Sequence, residues 1–431
     1  MLSLLKKIFL HNQFQKLSIY GFGQLFNLVT PLLVAPYIVS ICGEENFGKT
    51  AVGMAIAFFL IVFVDFGSDI IGVREVAVNR DNPSVLNRIF TTTYAVKAII
   101  LIIVLLVTSI VFLSFPYFQE ENKMFFLGLL ILIGQFINPT WFLQGVENVK
   151  CITILNVISK SIYLIGIFLT IKHESDYIYV NMWWGIGMIL SNFLVVIWVI
   201  RKHQFSFLSI NRYEVIKHVK NDFSMFSSQI FVSLQLYAPV VLISYFGNNL
   251  MAGQYRIIEQ IIVIFKTYIF LFFNYVFPKV CYLIEIDYKR GIKNWIIYNG
   301  TNFVFVLLGM TFFYFFSYEI VAYFNPTNRY VLSNLLQVAV FVPLLLAISI
   351  PLKQLVLAFN HKRPYIFITS LMVVINLIAI VLLLPLYQVY GVFYSLIATD
   401  VIIIIFYLYM LKKEFFKNDK NNSSEITTKI G

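Results

Sequence analysis

The sequence predicts an all-α integral membrane protein with about 12 transmembrane helices, and three observations lead to this prediction. Of the 431 residues, 60% are hydrophobic and only 12% are charged, whereas soluble domains carry about 25% charged residues. The apolar residues form blocks near or above the length of about 18 residues that crosses a bilayer core, and short polar turns separate them. Because lipid offers no hydrogen-bond partners to free backbone groups, such blocks are expected to be helices.

The predicted spans follow from the apolar blocks between charged turns. Prolines within them are expected to bend helices and to free backbone carbonyls. In chain order the spans are 17–42, 50–73, 88–115, 122–144, 150–171, 177–200, 222–246, 252–277, 294–318, 330–358, 364–386 and 388–411.

The basic residues in the loops predict the orientation of the spans. If the N-terminus is cytoplasmic, nearly all loop lysines and arginines fall on the cytoplasmic side. The loops of the other side then contain only Lys49, Lys123, Lys172 and Arg329. Because this asymmetry follows the positive-inside rule, both termini are predicted to be cytoplasmic.

The longest internal connection, residues 201–221, has the sequence RKHQFSFLSINRYEVIKHVKN and is both basic and partly apolar. It is predicted to lie along the cytoplasmic surface between two six-helix bundles, residues 1–200 and 222–411, with a polar cytoplasmic tail at 412–431. Six helices per half give both halves the same orientation, as in transporters whose bundles rock about a central cavity. A weak internal echo agrees with duplication, because Pro36, Gly43 and Gly48 recur as Pro239, Gly247 and Gly253.

The motif content disfavours an enzyme and a metal or cofactor site. The histidines lie in predicted loops or at their edges, and the three cysteines are far apart without CxxC spacing. The sequence contains no HExxH, Walker A or GxSxG pattern. The net charge of +11 resides in short loops rather than on a soluble basic face, so nucleic acid is not an expected partner. Without a phosphate-binding loop, ion coupling or flow down a substrate gradient is expected to drive any transport.

Lysines at membrane depth are candidates for substrate binding, because a charge at the centre of a span costs at least about 2.5–3.5 kcal/mol on insertion scales. Lys160 and Lys266 fall near the middle of the fifth and eighth spans, too deep for easy snorkelling. Lys97 and Lys353 lie nearer the cytoplasmic ends of their spans. Their amines are expected to snorkel to the headgroups, with substrate binding as the alternative.

Acidic residues within spans are candidates for ion coupling, since a buried carboxylate can exchange a proton or hold a sodium ion. Asp65 and Asp69 lie four apart on the second span, and Asp400 lies in the middle of the twelfth. Helix–helix hydrogen bonding or pairing with a lysine is the alternative for these carboxylates. Arg256 and Glu259 are three apart, so they either pair with each other or face the cavity as a coupled cation and acid.

Amide side chains also recur within the predicted spans. Gln24 and Asn27 lie on one face of the first span, where their amides can bind a hydroxyl-rich substrate. Hydrogen bonding between neighbouring helices is the alternative role for such amides. Further amides at similar depth are Gln135, Asn138, Gln229 and Gln235.

Four stretches of the sequence carry the features of one transporter family. The first span and its exit read NLVTPLLVAPYIVSICGEENFGKTAVG, and the second span ends in VDFGSDIIGVREVAVNRDN. The most specific stretch, NPTWFLQGVENVKCITILNVISK, contains Pro139, Trp141, Gln144, Gly145 and Glu147. The fourth stretch, AGQYRIIEQI, departs from the family at Arg256, where a small or acidic residue is frequent. Together these stretches resemble the Wzx-type polysaccharide flippases of the multidrug/oligosaccharidyl-lipid/polysaccharide exporter superfamily.

This resemblance implies a multi-pass protein of the bacterial inner membrane. The implied activity is export of an undecaprenyl-diphosphate-linked oligosaccharide, such as an O-antigen repeat unit of lipopolysaccharide, to the periplasmic leaflet by ion-coupled alternating access. Besides this substrate, the implied partners are membrane lipids, H⁺ or Na⁺ in antiport, and a polysaccharide polymerase complex. Because a diphosphate needs charge compensation in the low-dielectric midplane, Lys160, Lys266 and Arg256 are the preferred diphosphate partners.

Two other functions stay open. A multidrug exporter of the same superfamily would share the fold, but its cavity is expected to contain acids for cationic drugs, which the lysines disfavour. A membrane enzyme that acts on lipid-linked sugars is the third hypothesis, although short outer loops leave little room for a catalytic domain.

Overall fold

The computed structural model describes the backbone of residues 12–207 and 211–428, and the side chains within these ranges except those of residues 12–18, 20, 22, 24, 362 and 413–428. Every regular element in these two ranges is a helix, which confirms the predicted all-α class. Among the described residues, eleven helical segments are long and apolar enough to cross a membrane.

The first helix, α1, comprises Asn12–Asp65 and contains most of the first two predicted spans. A straight helix of its 54 residues would be about 80 Å long, far more than the hydrocarbon core. The helix breaks at Gly43, where φ is 81° and ψ is 166°, a conformation that glycine adopts readily. The parts on either side of Gly43 each have the length of a span, so the merged helix agrees with about 12 spans.

The helices that follow are shorter and include several breaks. The fourth predicted span, 122–144, is divided into three helices, partly because Asn138 is extended before Pro139. In order, these elements are a π-helix Ser68–Gly72, α2 Val73–Val78, α3 Pro83–Ser114, α4 Pro116–Gln119, α5 Asn122–Gly128, α6 Leu130–Ile137, α7 Thr140–Gly145, α8 Val149–Thr170, a 3₁₀-helix Glu174–Tyr179 and α9 Val180–His203.

The second half of the chain contains longer uninterrupted helices. Its tenth predicted span, 330–358, is divided near Val340 into two helices. In order, the helices are α10 Arg212–Phe246, α11 Asn249–Ile286, α12 Tyr288–Phe315, α13 Ser317–Ala322, α14 Arg329–Ala339, α15 Phe341–Ala358, α16 Lys362–Tyr387 and α17 Val389–Thr428.

The chain forms two compact units, unit 1 from Met1–Gly253 and unit 2 from Gln254–Gly431. Unit 1 contains α10, the seventh predicted span, which packs against α1 and α3. In unit 2, α17 packs against α15 and α16. The predicted bundles at 1–200 and 222–411, and the predicted orientation, stay predictions.

The basic connection between α9 and α10 is shorter than the predicted linker 201–221. The helix α10 begins at Arg212, where the Asn211 side chain accepts a hydrogen bond of 2.9 Å from the Tyr213 backbone N–H. Val215 and Val219 then pack against apolar residues of α1 and α3. Because this packing buries the apolar side of the segment, its second half is a helix of unit 1 instead of a separate surface linker.

Within the predicted polar tail, 412–431, the helix α17 extends to Thr428. Neither glycine nor proline interrupts the sequence between residues 392 and 428, so nothing in the backbone ends the helix earlier.

The stretch with the most specific resemblance lies in the core of unit 1. Trp141 and Phe142 of α7 pack with Phe90 of α3 and with Phe205 in a cluster of buried aromatic rings. A Cβ on Gly145 would clash with Val76, so this glycine permits close approach of α7 and α2. Trp141, Phe142 and Gly145 of this motif therefore pack within the core of unit 1.

Candidate functional site

Unit 1 contains a cavity of about 390 Å³ that is lined by amides, aromatic rings and one lysine. The side chains come from α1, α6, α8, α9 and α10 and from the break after α6. The lining residues are Asn27, Phe58, Ile61, Gln135, Asn138, Leu155, Asn156, Ser159, Lys160, Trp184, Met188, Asn192 and Tyr237. These described lining residues include no acid, and Lys160 is the one basic side chain among them.

Lys160, a candidate for substrate binding from its central position in the fifth span, is the one lysine among the described lining residues. Its Nζ atom lies 3.0 Å from the centre of the Trp184 ring, a close cation–π contact between α8 and α9. The two helices approach closely here, because a Cβ on Gly187 would clash with the Ser159 carbonyl oxygen. The indole therefore holds an ammonium group that lacks a carboxylate partner among the cavity-lining residues.

The aromatic rings form one side of the cavity. Phe58 of α1 contacts Trp184 edge-on, with ring centroids 5.6 Å apart, and Tyr237 of α10, with centroids 5.7 Å apart. Tyr163 packs against Trp184 from within α8, at 5.0 Å. These contacts fix the orientation of the indole beneath Lys160.

Several amides of the cavity are fixed by hydrogen bonds. Asn192 donates to the Gly134 carbonyl oxygen at 2.7 Å. Asn138 donates to Gln135 Oε1 at 3.3 Å, and its own oxygen accepts from the Thr140 backbone N–H at 2.9 Å. The predicted Asn27 also lines the cavity, whereas the side chain of Gln24 lies outside the described part of the structure.

A buried ion pair lies behind the cavity wall. Lys97 of α3 has its Nζ atom 3.0 Å from Asp65 Oδ1, and the side chains are 1% and 13% exposed. Gln135 of the cavity donates to the other Asp65 oxygen at 2.7 Å. Lys97 also donates to the Gln135 carbonyl oxygen at 3.3 Å. The pair is thereby connected to the cavity through Gln135.

This geometry corrects the expectation that Lys97 snorkels to the headgroups. Its amine points inward because Asp65, at the end of α1, supplies a buried countercharge. The structure thus shows for Asp65 the alternative of pairing with a lysine. Asp69, four residues later, instead accepts two hydrogen bonds from Gln229 of α10, at 2.9 and 3.0 Å.

Unit 2 holds the remaining charged candidates. Arg256 Nη1 lies 2.6 Å from Glu259 Oε2, so these two residues of α11 pair with each other. Lys266, two turns later on α11, interacts electrostatically with Glu259 and with Asp400 of α17. This cluster of Arg256, Glu259, Lys266 and Asp400 balances two positive and two negative charges.

Lys353 of α15 takes a different environment in unit 2. Its Nζ atom lies 5.4 Å from the centre of the Phe273 ring and 5.1 Å from that of Tyr365. The lysine is half-buried between these rings. Cation–π contacts therefore stabilise its charge.

Sequence reasoning missed several residues of the cavity. Asn156 lies one turn before Lys160 on α8, and Trp184, Met188 and Asn192 follow one another at intervals of four on α9. Polar or aromatic residues at such spacing within an apolar helix are the signal that could have identified this shared face.

Comparisons with known proteins agree with this architecture. The family described as polysaccharide biosynthesis protein matches residues 14–281, more than half of the chain. A "Putative O-antigen transporter" of Shigella dysenteriae is 24% identical over 391 residues, which cover 90% of this chain and 96% of that protein. A protein of the same name from Escherichia coli (strain K12) is 20% identical over 266 residues, which cover 62% of this chain and 64% of that protein.

Solved structures share the fold. The lipid II flippase MurJ in an inward closed conformation has a TM-score of 0.71 at 15% identity, over 91% of this chain and 87% of that chain. An inward-facing MATE family multidrug resistance transporter has a TM-score of 0.66 at 13% identity, over 92% of this chain and 98% of that chain. With its apolar helices and these relatives, the chain is a multi-pass protein of the bacterial inner membrane. It belongs to the polysaccharide biosynthesis protein family, as the resemblance to the Wzx-type flippases predicts, and has the fold of the multidrug/oligosaccharidyl-lipid/polysaccharide exporter superfamily.

Proposed function

We propose that the protein moves an undecaprenyl-diphosphate-linked oligosaccharide from the cytoplasmic to the periplasmic leaflet by ion-coupled alternating access, as a transporter without catalytic activity. The cavity of unit 1 carries this proposal, because its one cation is surrounded by amides and aromatic rings. The membership in a polysaccharide biosynthesis family and the names of the relatives agree with a lipid-linked sugar as cargo.

Lys160 is the proposed partner of the diphosphate. A desolvated cation–π contact contributes about 2 kcal/mol, whereas two unit charges about 4 Å apart near a protein surface attract by about 4 kcal/mol. A phosphate can therefore draw the ammonium away from the Trp184 ring. After release of the phosphate, the ammonium group returns to its contact with the Trp184 ring, which again fixes the position of Lys160.

The amides and rings are the proposed partners of the first sugars. Asn27 and Asn156 each carry donors and an acceptor, which match the hydroxyl groups of a carbohydrate. Phe58 and Tyr237 offer flat apolar surfaces to the faces of sugar rings. The cavity volume of about 390 Å³ suits the diphosphate and the first sugars rather than a whole repeat unit.

The charged cluster of unit 2 is the proposed coupling element. Arg256 and Lys266 each lie near an acid, Glu259 or Asp400, that compensates their charge. A proton or sodium ion on either acid would leave its cation uncompensated, which is the proposed link between ion binding and the binding of an anionic substrate. Asp65 is already compensated by Lys97, so this pair is proposed to support the cavity wall instead.

The test is the leaflet distribution of the lipid-linked oligosaccharide after depletion of the protein in its host. A membrane-impermeant glycan label, applied to spheroplasts and to inverted vesicles, reports the two leaflets. We expect the lipid-linked sugar to accumulate on the cytoplasmic leaflet, and wild-type protein to restore export. Lys160→Gln of equal abundance is expected to slow export at least about tenfold, the loss of about 1.4 kcal/mol.

Lys150→Gln is the matched control, because Lys150 is an exposed lysine at the start of the same helix. It is expected to export at the wild-type rate. If the sugar appears outside normally despite depletion, in a host without a second flippase, the proposal is wrong. Export of cationic drugs would then be measured instead, as the superfamily fold allows.

A further inference from the structure

The helix α10 presents an apolar stripe to α1 and α3. Val215, Val219, Phe226 and Ile230 pack there against residues such as Phe66 and Val96. The rings of Phe66 and Phe226 stack with their centroids 4.6 Å apart. These residues are spaced by four, seven and four positions, as expected of one face of a helix that is buried against its neighbours.

Asp222 occupies this stripe between Val219 and Phe226. Its side chain is 1% exposed, and a Cβ built on Gly67 would lie 3.8 Å from the Asp222 Cβ atom. Within the described residues, neither carboxylate oxygen of Asp222 accepts a hydrogen bond. A carboxylate in such a position is costly unless a proton or a cation neutralises it.

His218, one turn earlier on α10, is the group that can supply this proton. Its Nε2 atom lies 3.2 Å from Asp222 Oδ2, and its side chain is 10% exposed. At this distance, the pair can hold one proton, on the imidazole or on the carboxyl group, and then carries no net charge. Without that proton, the buried pair carries one negative charge.

A polar cavity of about 270 Å³ connects His218 to its surroundings. His218 lines this cavity with Glu75 of α2, Arg88 of α3, and Glu214 and Lys217 of α10. Water in such a polar space can carry protons to the imidazole. By the predicted orientation, the cavity belongs to the cytoplasmic end of unit 1, since α10 begins there at Arg212.

Charged groups of α2, α3 and α10 also surround the pair. Glu75 acts electrostatically on Asp222, so a second negative charge at Asp222 would face one that is already nearby. Arg74, Arg88, Glu214 and Lys217 act on Glu75 in turn. Since Glu214 also pairs with Arg88 at 3.9 Å, part of the positive charge in the cavity is already compensated.

We propose that the His218–Asp222 pair is a proton-binding site that fastens the first half of α10 to α1 and α3. With one proton bound, the pair is neutral and the apolar stripe stays packed. Loss of the proton leaves a carboxylate in that stripe, which favours separation of α10 and entry of water. The inference adds a proton-binding site in unit 1 to the charged cluster proposed for ion coupling, and it rests on the proposed function in naming the proton as a coupling ion.

The experiment measures the position of α10 in purified full-length protein as a function of pH. Spin labels are attached to cysteines introduced by Val78→Cys and Tyr213→Cys, two exposed positions of unit 1 on α2 and α10. The three native cysteines are replaced first. Electron–electron resonance then reports the distance distribution between about pH 5 and pH 8, where a histidine-linked proton titrates. We expect a shift to a longer distance as the pH rises.

Variants locate the titrating group. Asp222→Asn carries no charge at any pH and is expected to keep the short distance throughout the range. Glu75→Gln removes the nearby carboxyl and is expected to retain the pH-dependent shift. His218→Gln is expected to move the pH midpoint of the distance change to lower pH. The reason is that the histidine–aspartate pair holds its last proton at least as firmly as the aspartate alone. If Asp222→Asn aggregates, His218→Gln and Glu75→Gln still decide the assignment.

Other outcomes would overturn the proposal. A distance distribution without pH dependence would do so, as would a shift that Glu75→Gln abolishes and Asp222→Asn leaves intact. A shift on replacing K⁺ by Na⁺ at fixed pH would assign the site to sodium instead. Because no lipid-linked sugar is present, failure here leaves translocation untouched, and failure of the leaflet assay leaves the proton site untouched.

Discussion

Gly48 of α1 and Gly253 of α11 form a reciprocal helix crossing. A Cβ on Gly48 would clash with the Asn249 carbonyl oxygen, and a Cβ on Gly253 would clash with the Glu44 carbonyl oxygen. Asn249 lies four residues before Gly253, and Glu44 lies four residues before Gly48, so the two contacts are equivalent. The two residues also occupy matching places in the internal echo of the sequence, so one physical reason for that echo is close backbone approach.

Gly48→Ala is therefore expected to destabilise the protein. The added methyl group has no space, and overpacking of this kind lowers the free energy of unfolding by about 1–3 kcal/mol. Thermal unfolding in detergent measures this loss. Gly300→Ala of α12 is the control, since no atom lies within 4 Å of its added Cβ, and it is expected to stabilise by up to about 1 kcal/mol. Equal melting temperatures for both variants would contradict the crossing.

The Lys97–Asp65 pair is expected to show strong coupling. Removing one partner leaves an uncompensated buried charge, so Lys97→Met or Asp65→Asn alone is expected to destabilise unit 1 by about 3–5 kcal/mol. The double variant is expected to lose less free energy of unfolding than the two single variants lose together. Chemical unfolding of all four proteins measures the coupling energy. Additive losses would show that the two charges act independently.

Trp184 is expected to matter for transport through its contact with Lys160. Trp184→Leu removes the cation–π contact and is expected to slow export about tenfold, whereas Trp184→Phe retains part of the rate. Initial rates in the leaflet assay, at equal protein abundance, measure the effect. Trp198→Leu is the control, because Trp198 forms a similar contact with Lys202 near the end of the same helix, at 4.7 Å. Equal export rates for the two leucine variants would contradict a role of the Lys160–Trp184 contact in transport.

Glu75, which lies between two predicted spans, is expected to make stability depend on pH. Burial raises the pKa of Glu75 above its usual value, against the opposing effect of Arg88 and Arg74. Its protonated form is thus favoured by folding, and this contribution is full below the unfolded pKa of about 4.3 and lost as the pH rises through the folded pKa. Glu75→Gln is expected to unfold at a higher temperature than wild type at neutral pH. At low pH the difference is expected to vanish, and a constant difference at all pH values would contradict the assignment.

The sequence was informative wherever hydrophobicity alone decides the structure. The spans, their number and the all-α class depend on the length of apolar blocks, which the lipid environment converts directly into helices. The central position of Lys160 in its span also followed from counting residues. Even the merged helix α1 breaks at Gly43, within the charged turn that separates two apolar blocks.

Contacts between helices were beyond the reach of the sequence. Lys97 and Asp65 are 32 residues apart and meet only because α1 and α3 pack together. The sequence did not identify Asp222 and His218 for another reason, since the polar residues around them resemble a surface linker. Their burial depends on α1 and α3 covering the apolar side of α10.

The contact between Lys160 and Trp184 also gives the cavity an optical reporter. An ammonium group held 3.0 Å from the centre of an indole affects the excited state of that ring, so its fluorescence depends on where the lysine lies. The chain has five tryptophans, and replacing the other four by phenylalanine would leave Trp184 as the sole emitter. An arriving anion that draws Lys160 away would then change the emission, and cargo binding could be followed in real time without any label.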